Sequence, residues 1–174
     1  MNDSYLLGLA FGILIAVAIF AVFAVVRKKR GVETKYDERQ EFARGKAYRH
    51  GFLTLLIYCV AVGMVDLNFG TVWCDVYTAM MLGFLTAITV FVVECILTDA
   101  YFAVGERPAV WLVLTGFIAA LGLVVFAKDL GDGKRLVENG ALTHITINLA
   151  YGAAFLVIFA AMLFKTLKDR AAEK

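Results

Sequence analysis

Residues 76–98 read VYTAMMLGFLTAITVFVVECILT, and Glu94 is the one acidic or basic charge among them. A helix rises 1.5 Å per residue, so about 20 such residues cover the ~30 Å of bilayer hydrocarbon. Four other runs of the same kind occupy residues 5–26, 52–69, 109–127 and 145–164. In hydrocarbon every backbone N–H and C=O must be satisfied within its own segment, which selects helices. The shorter alternating strands of an outer-membrane barrel are absent. The expected fold is therefore all-α: one membrane domain over residues 1–174, built from five transmembrane helices.

Composition points the same way. Hydrophobic residues make up 61% of the 174 positions, a single proline is present, and the mean hydropathy is +0.79. The longest polar stretches, 27–51 and 128–143, are too short to bury a core of their own. The net charge of +2 carries little information, but its distribution carries more. Residues 27–49 hold nine bases, the 99–108 connection holds Arg107, and the C-terminal segment holds Lys165, Lys168, Arg170 and Lys174. The opposite side of a five-span model has only Lys128, Lys134 and Arg135. Basic residues stay in the cytoplasm, which predicts the N-terminus outside and the C-terminus inside.

The first run has no base before its apolar stretch, and Arg27-Lys28-Lys29-Arg30 follows it as a stop-transfer cluster. It reads as a retained helix rather than a signal peptide. Gly8, Gly12 and Ala16 form a small-residue stripe on it, suited to intramolecular packing or to a homo-oligomer. Cys59, Cys74 and Cys95 fall at different depths, without the spacing of a zinc or redox pair, and read as small apolar side chains.

The most patterned polar segment runs from Tyr36 to His50. Asp37 and Gln40 have the spacing of a capping box, and Asp37, Glu38 and Glu41 suit the positive end of a helix dipole. A helix is expected from about residue 37 to 50, continuing into the second span with a bend at Gly45 or Gly51. Glu41 and Arg44 are placed to pair along it. Arg39, Arg44, Lys46 and Arg49 can serve anionic lipid headgroups or a cytosolic regulator. The acidic residues among them argue against nucleic acid.

Asp37-Glu38-Arg39-Gln40 and Arg44-Gly45-Lys46-Ala47, then Trp73-Cys74-Asp75 and Asp99-Ala100-Tyr101-Phe102, follow in fixed order. In this the chain resembles a family of small, uncharacterised bacterial multi-pass membrane proteins. The resemblance implies four or five helices, no established activity, and neighbours that include small helix-turn-helix regulators. It implies a regulatory or immunity-like role and supplies no catalytic residue.

Polar groups within the apolar runs are the remaining site candidates. Asp66, Asn68 and Asp75 lie at the outer ends of the second and third spans. His144, Asn148 and Tyr151 recur at i, i+4 and i+7 on one face of the fifth. These groups are expected to converge in one external vestibule for a ligand or a proton, or as interhelical glue. Glu94, a turn inside the inner end of its helix, can snorkel, stay protonated, or pair with Arg49 or Arg107. No metal-ligand spacing, phosphate loop or nucleophile–base arrangement is visible, so no metal, cofactor or enzymatic activity is expected. Two classes of function stay open: a regulatory, sensor or immunity protein acting through a partner, and a small oligomeric transporter or channel component.

Overall fold

The computed structural model describes residues 36–69, 73–102 and 108–172, together with Leu14 and Val17. The rest of the first apolar run, with Gly8, Gly12 and Ala16, and the basic cluster after it lie outside the described residues. Four helices are present among those described: α1 (Glu38–Phe69), α2 (Val76–Leu97), α3 (Pro108–Gly131) and α4 (Ile145–Ala172). Each is long and apolar enough to cross a membrane. Many of their large apolar side chains face outward, as a lipid solvent permits.

α1 starts where the sequence places a cap. The Gln40 N–H donates to Asp37 Oδ1 at 2.6 Å, and the Asp37 N–H donates to Gln40 Oε1 at 3.2 Å. Two donors that a helix start leaves without partners are thereby satisfied. The helix continues through Gly45 and Gly51 for 32 residues without interruption. Glu41 and Arg44 do not pair along it; Arg44 turns away to the loop after α2, as described below.

The helices pack in the order α1–α2–α4–α3. Glycines set the close approaches. A methyl group added at Gly83 of α2 would stand 2.6 Å from the Tyr58 ring of α1, whose hydroxyl donates to the Ala79 carbonyl at 2.7 Å. At the α3–α4 crossing, a Cβ on Gly122 would lie 2.9 Å from the Gly152 Cα. Backbone thus meets backbone there, the role small residues play in membrane helix pairs.

Between α3 and α4 a short hairpin interrupts the helical pattern. β1 (Val137–Glu138) pairs antiparallel with β2 (Ala141–Leu142) around Asn139-Gly140. Both turn residues have positive φ, 51° and 82°, the signature of a type I′ turn, for which Asn-Gly is the favoured pair. The Leu142 N–H donates to the Trp73 carbonyl at 2.7 Å, tying the hairpin to the start of α2. A buried apolar cluster, Ile96, Ile158, Ala161 and Met162, sits at the opposite end of the bundle.

Candidate functional site at the turn after α2

α2 and α3 end in the same backbone device. After α3, the Lys134 N–H reaches the Asp129 carbonyl and the Gly133 N–H reaches that of Leu130, with Gly133 at φ 82°. After α2, the Ala100 N–H reaches the Cys95 carbonyl at 2.8 Å and the Asp99 N–H that of Ile96 at 3.3 Å. Both are Schellman motifs, which place one residue in the left-handed region. That residue is glycine after α3, but after α2 it is Asp99, at φ 58°. An aspartate there is unfavourable relative to glycine, so its surroundings must hold it.

They do so from two other helices. Gln40 of α1 donates its amide Nε2 to the Asp99 carbonyl at 2.6 Å and to the Phe102 carbonyl at 3.1 Å. Arg44 donates to the Ala100 carbonyl at 3.2 Å while its guanidinium lies 4.2 Å above the Tyr36 ring. Lys165 of α4 bonds Asp99 Oδ2 at 2.9 Å and Asp169 at 3.1 Å. Arg39 stands 3.8 Å from the same Asp99 oxygen. Gln40 is buried, so losing its bonds would orphan carbonyls at about 1–3 kcal/mol each, whereas the exposed Arg39 pair is worth under about 1 kcal/mol. The glutamine is the clamp; the ion pairs refine it.

The first two motifs and the last therefore meet in space. Gln40, held by Asp37, and Arg44 reach the turn formed by Asp99, Ala100, Tyr101 and Phe102, and Ala47 of the second motif is fully buried. Tyr101 packs edge-on against Phe102 and Trp111. Trp73-Cys74-Asp75 lies at the other end, where Asp75 caps α2. The Thr78 hydroxyl and N–H donate to its two oxygens at 2.6 and 3.0 Å, and hold its carboxyl below the usual carboxylate range.

The vestibule expected around Asp66, Asp75, His144, Asn148 and Tyr151 is assembled differently. Asn148 donates to Asp129 at 2.8 Å, not to Asp66 or Asp75. Asp129 also takes Lys134 at 2.6 Å, and that bond raises the lysine's pKa. Asp66 is exposed on α1, and the Asn68 amide folds back onto the Met64 carbonyl. Tyr151 lies against Phe155 and beside Gly122, so its role on this face is packing. His144 is exposed at the first turn of α4, where its carbonyl accepts the Ile147 N–H.

Glu94 also has an unexpected partner. Its Oε2 lies 2.7 Å from Nδ1 of His50, across the α1–α2 contact, rather than beside Arg49. Lys46 and Arg49 are exposed on the outer face of α1. Among the described residues no cluster of three or more His, Cys, Asp and Glu side chains could hold a metal ion. No protein-family model, curated protein or solved structure matches the chain.

Proposed function

We propose that this chain is a multi-pass protein of the bacterial cytoplasmic membrane that works as a regulatory, sensor or immunity-like component through a cytosolic partner. In this reading residues 5–26 form a fifth span, the N-terminus is outside, and the first half of α1 lies in the cytoplasm. The observation that carries it is Phe42, whose side chain is 78% exposed. Glu38, Phe42, Lys46 and Arg49 share one face of α1, while Gln40 and Ala47 face the bundle. Arg39 and Arg44 are spent on the turn after α2. The outward stripe thus has an aromatic anchor flanked by charges, a composition suited to a protein contact as well as to anionic headgroups. The resemblance in motif order to small membrane proteins encoded beside regulators supports the same reading.

A photo-crosslinking residue at position 42 tests it in living cells. The expected result is an adduct with one cytosolic protein, lost on Lys46→Glu with Arg49→Glu at unchanged membrane abundance. Lipid adducts alone would sink the partner. Orientation has its own test: a cysteine at position 139 on a cysteine-free background should label from outside intact cells, and one at position 38 should not.

The His50–Glu94 contact favours a second reading, a small oligomeric proton-linked transporter or channel component, with assembly through Gly8, Gly12 and Ala16. Proton flux into vesicles containing the purified protein, abolished by Glu94→Gln, would favour it over the first.

A further inference from the structure

The outward stripe of α1 is ordered by charge. Glu38, Phe42, Gly45 and Arg49 follow one line along the helix, with Glu41 on one side of it and Lys46 on the other. All six are exposed, on the side away from the buried Gln40 and Ala47. Among the described residues no ion pair uses Glu38, Glu41, Lys46 or Arg49. The stripe is thus acidic where α1 starts and basic where the apolar run approaches, and its charges are not spent within the bundle.

Gly45 adds a second observation. A glycine inside a helix is destabilising relative to alanine unless something uses the space it leaves. Gly51, Gly83, Gly116, Gly122 and Gly152 each bring an atom of another helix within 3.2 Å of where a Cβ would stand. At Gly45 nothing lies within 4 Å; the same holds at Gly63, but that glycine lies in the apolar run, where lipid fills the gap. At Gly45 the close approach is left open at a polar point, between an exposed aromatic ring and an exposed guanidinium.

A helix lying antiparallel to α1 fits both observations. Any helix favours acids in its first turn and bases in its last, because of its own dipole. Laid antiparallel, it sets those acids beside Lys46 and Arg49 and those bases beside Glu38 and Glu41, with the two dipoles opposed. A parallel helix would need bases first and acids last, against its dipole. We propose that the cytosolic partner docks such an amphipathic helix here, its backbone close to Gly45 and its small or aliphatic side chains around Phe42. The proposal rests on the reading of this stripe as a partner surface.

The test uses the full chain in living cells, with a photo-crosslinking residue at position 38 in one strain and at position 49 in another. Mass spectrometry then locates each adduct within the captured protein. Both should fall in one segment, in reversed order: position 49 captures the earlier residue, and position 38 one about 11 residues later. That segment should open with acidic residues and close with basic ones. Gly45→Leu should lower both adduct yields about tenfold, because its side chain fills the gap where the backbones meet. Its membrane abundance and melting midpoint should be no lower than wild type, since nothing in the bundle is near it. Adducts that map in parallel order, or to a segment without this charge order, would overturn the antiparallel helix and leave the partner reading standing. So would yields that Gly45→Leu leaves unchanged. Adducts with lipid alone, or with a second copy of this chain alone, would overturn both.

Discussion

Gln40, in the first turn of α1, donates its side-chain amide to the main-chain carbonyl of Asp99 at 2.6 Å, joining residues 59 positions apart. The same side chain closes the capping box, so one glutamine starts one helix and fastens the end of another. Gln40→Leu keeps the volume and removes both donors. The Asp99 and Phe102 carbonyls would then stand unpaired, at a cost of about 1–3 kcal/mol each. Thermal unfolding in detergent should show a clear fall in midpoint, and Gln40→Glu, which also lacks the donors, should fall with it. A midpoint within error of wild type for both would show that water replaces the amide freely.

Asp99 combines a backbone requirement with a carboxylate, and three substitutions separate them. Asp99→Gly relieves the left-handed φ and loses the contact with Lys165; Asp99→Ala loses the contact and keeps the strain. Alanine should therefore be about 1 kcal/mol less stable than glycine. Asn, which tolerates this region, should fall between them. Denaturant unfolding of the three side by side measures the ordering, and equal stability of Gly and Ala would contradict it.

The α3–α4 crossing predicts a steep response to volume. Gly122→Leu would drive a side chain into the Gly152 backbone, and overpacking of this kind costs about 1–3 kcal/mol where the neighbour can give. Backbone cannot, so the upper part of that range or loss of the folded protein is expected. Gly45→Ala is the control: nothing lies within 4 Å of the added methyl, and helix propensity should make it neutral or stabilising. Size-exclusion yield and melting midpoint distinguish the two.

At the hairpin end, Asp75 gives a pH dependence of known sign. Its carboxyl titrates below its ordinary 3.8 because the Thr78 hydroxyl and N–H favour the anion. The resulting stability is fully present above the unfolded pKa and disappears as pH falls through the folded value. Melting midpoints should thus be flat from about pH 7 to 5 and decline below about pH 4. Asp75→Asn should flatten part of that decline. An identical acid profile for both proteins would remove Asp75 from the account.

The parts of this arrangement that were legible in the sequence are local ones. The four described spans follow from apolar run length, and the capping box from residues three apart. The hairpin is equally local: Asn139-Gly140 is a strong turn signal, set in a segment that otherwise reads as a polar connection. The cross-helix partners were not legible. The expected vestibule joins the face of His144, Asn148 and Tyr151 to Asp66 or Asp75, which stand out at helix ends, whereas Asp129, the partner Asn148 takes, is inconspicuous beside Lys128 at the edge of an apolar run. His50 was hidden among bases, and its contact with Glu94 depends on the α1–α2 packing that glycines at 51 and 83 allow. Spacing along one helix says which residues share a face, but not which face of which neighbour they meet.

The order in which the helices pack differs from the order in which they are made. α3 emerges before α4, yet α4 is the helix it lies against, and α4 also supplies the contact with α2. Until residues 145–172 have been translated, α3 therefore waits in the bilayer with the groove at Gly116 and Gly122 open to lipid. The last described helix is what joins α3 to α2. A chain halted before residue 145 would leave an α1–α2 pair and an unaccompanied α3, with Asp99 lacking its lysine.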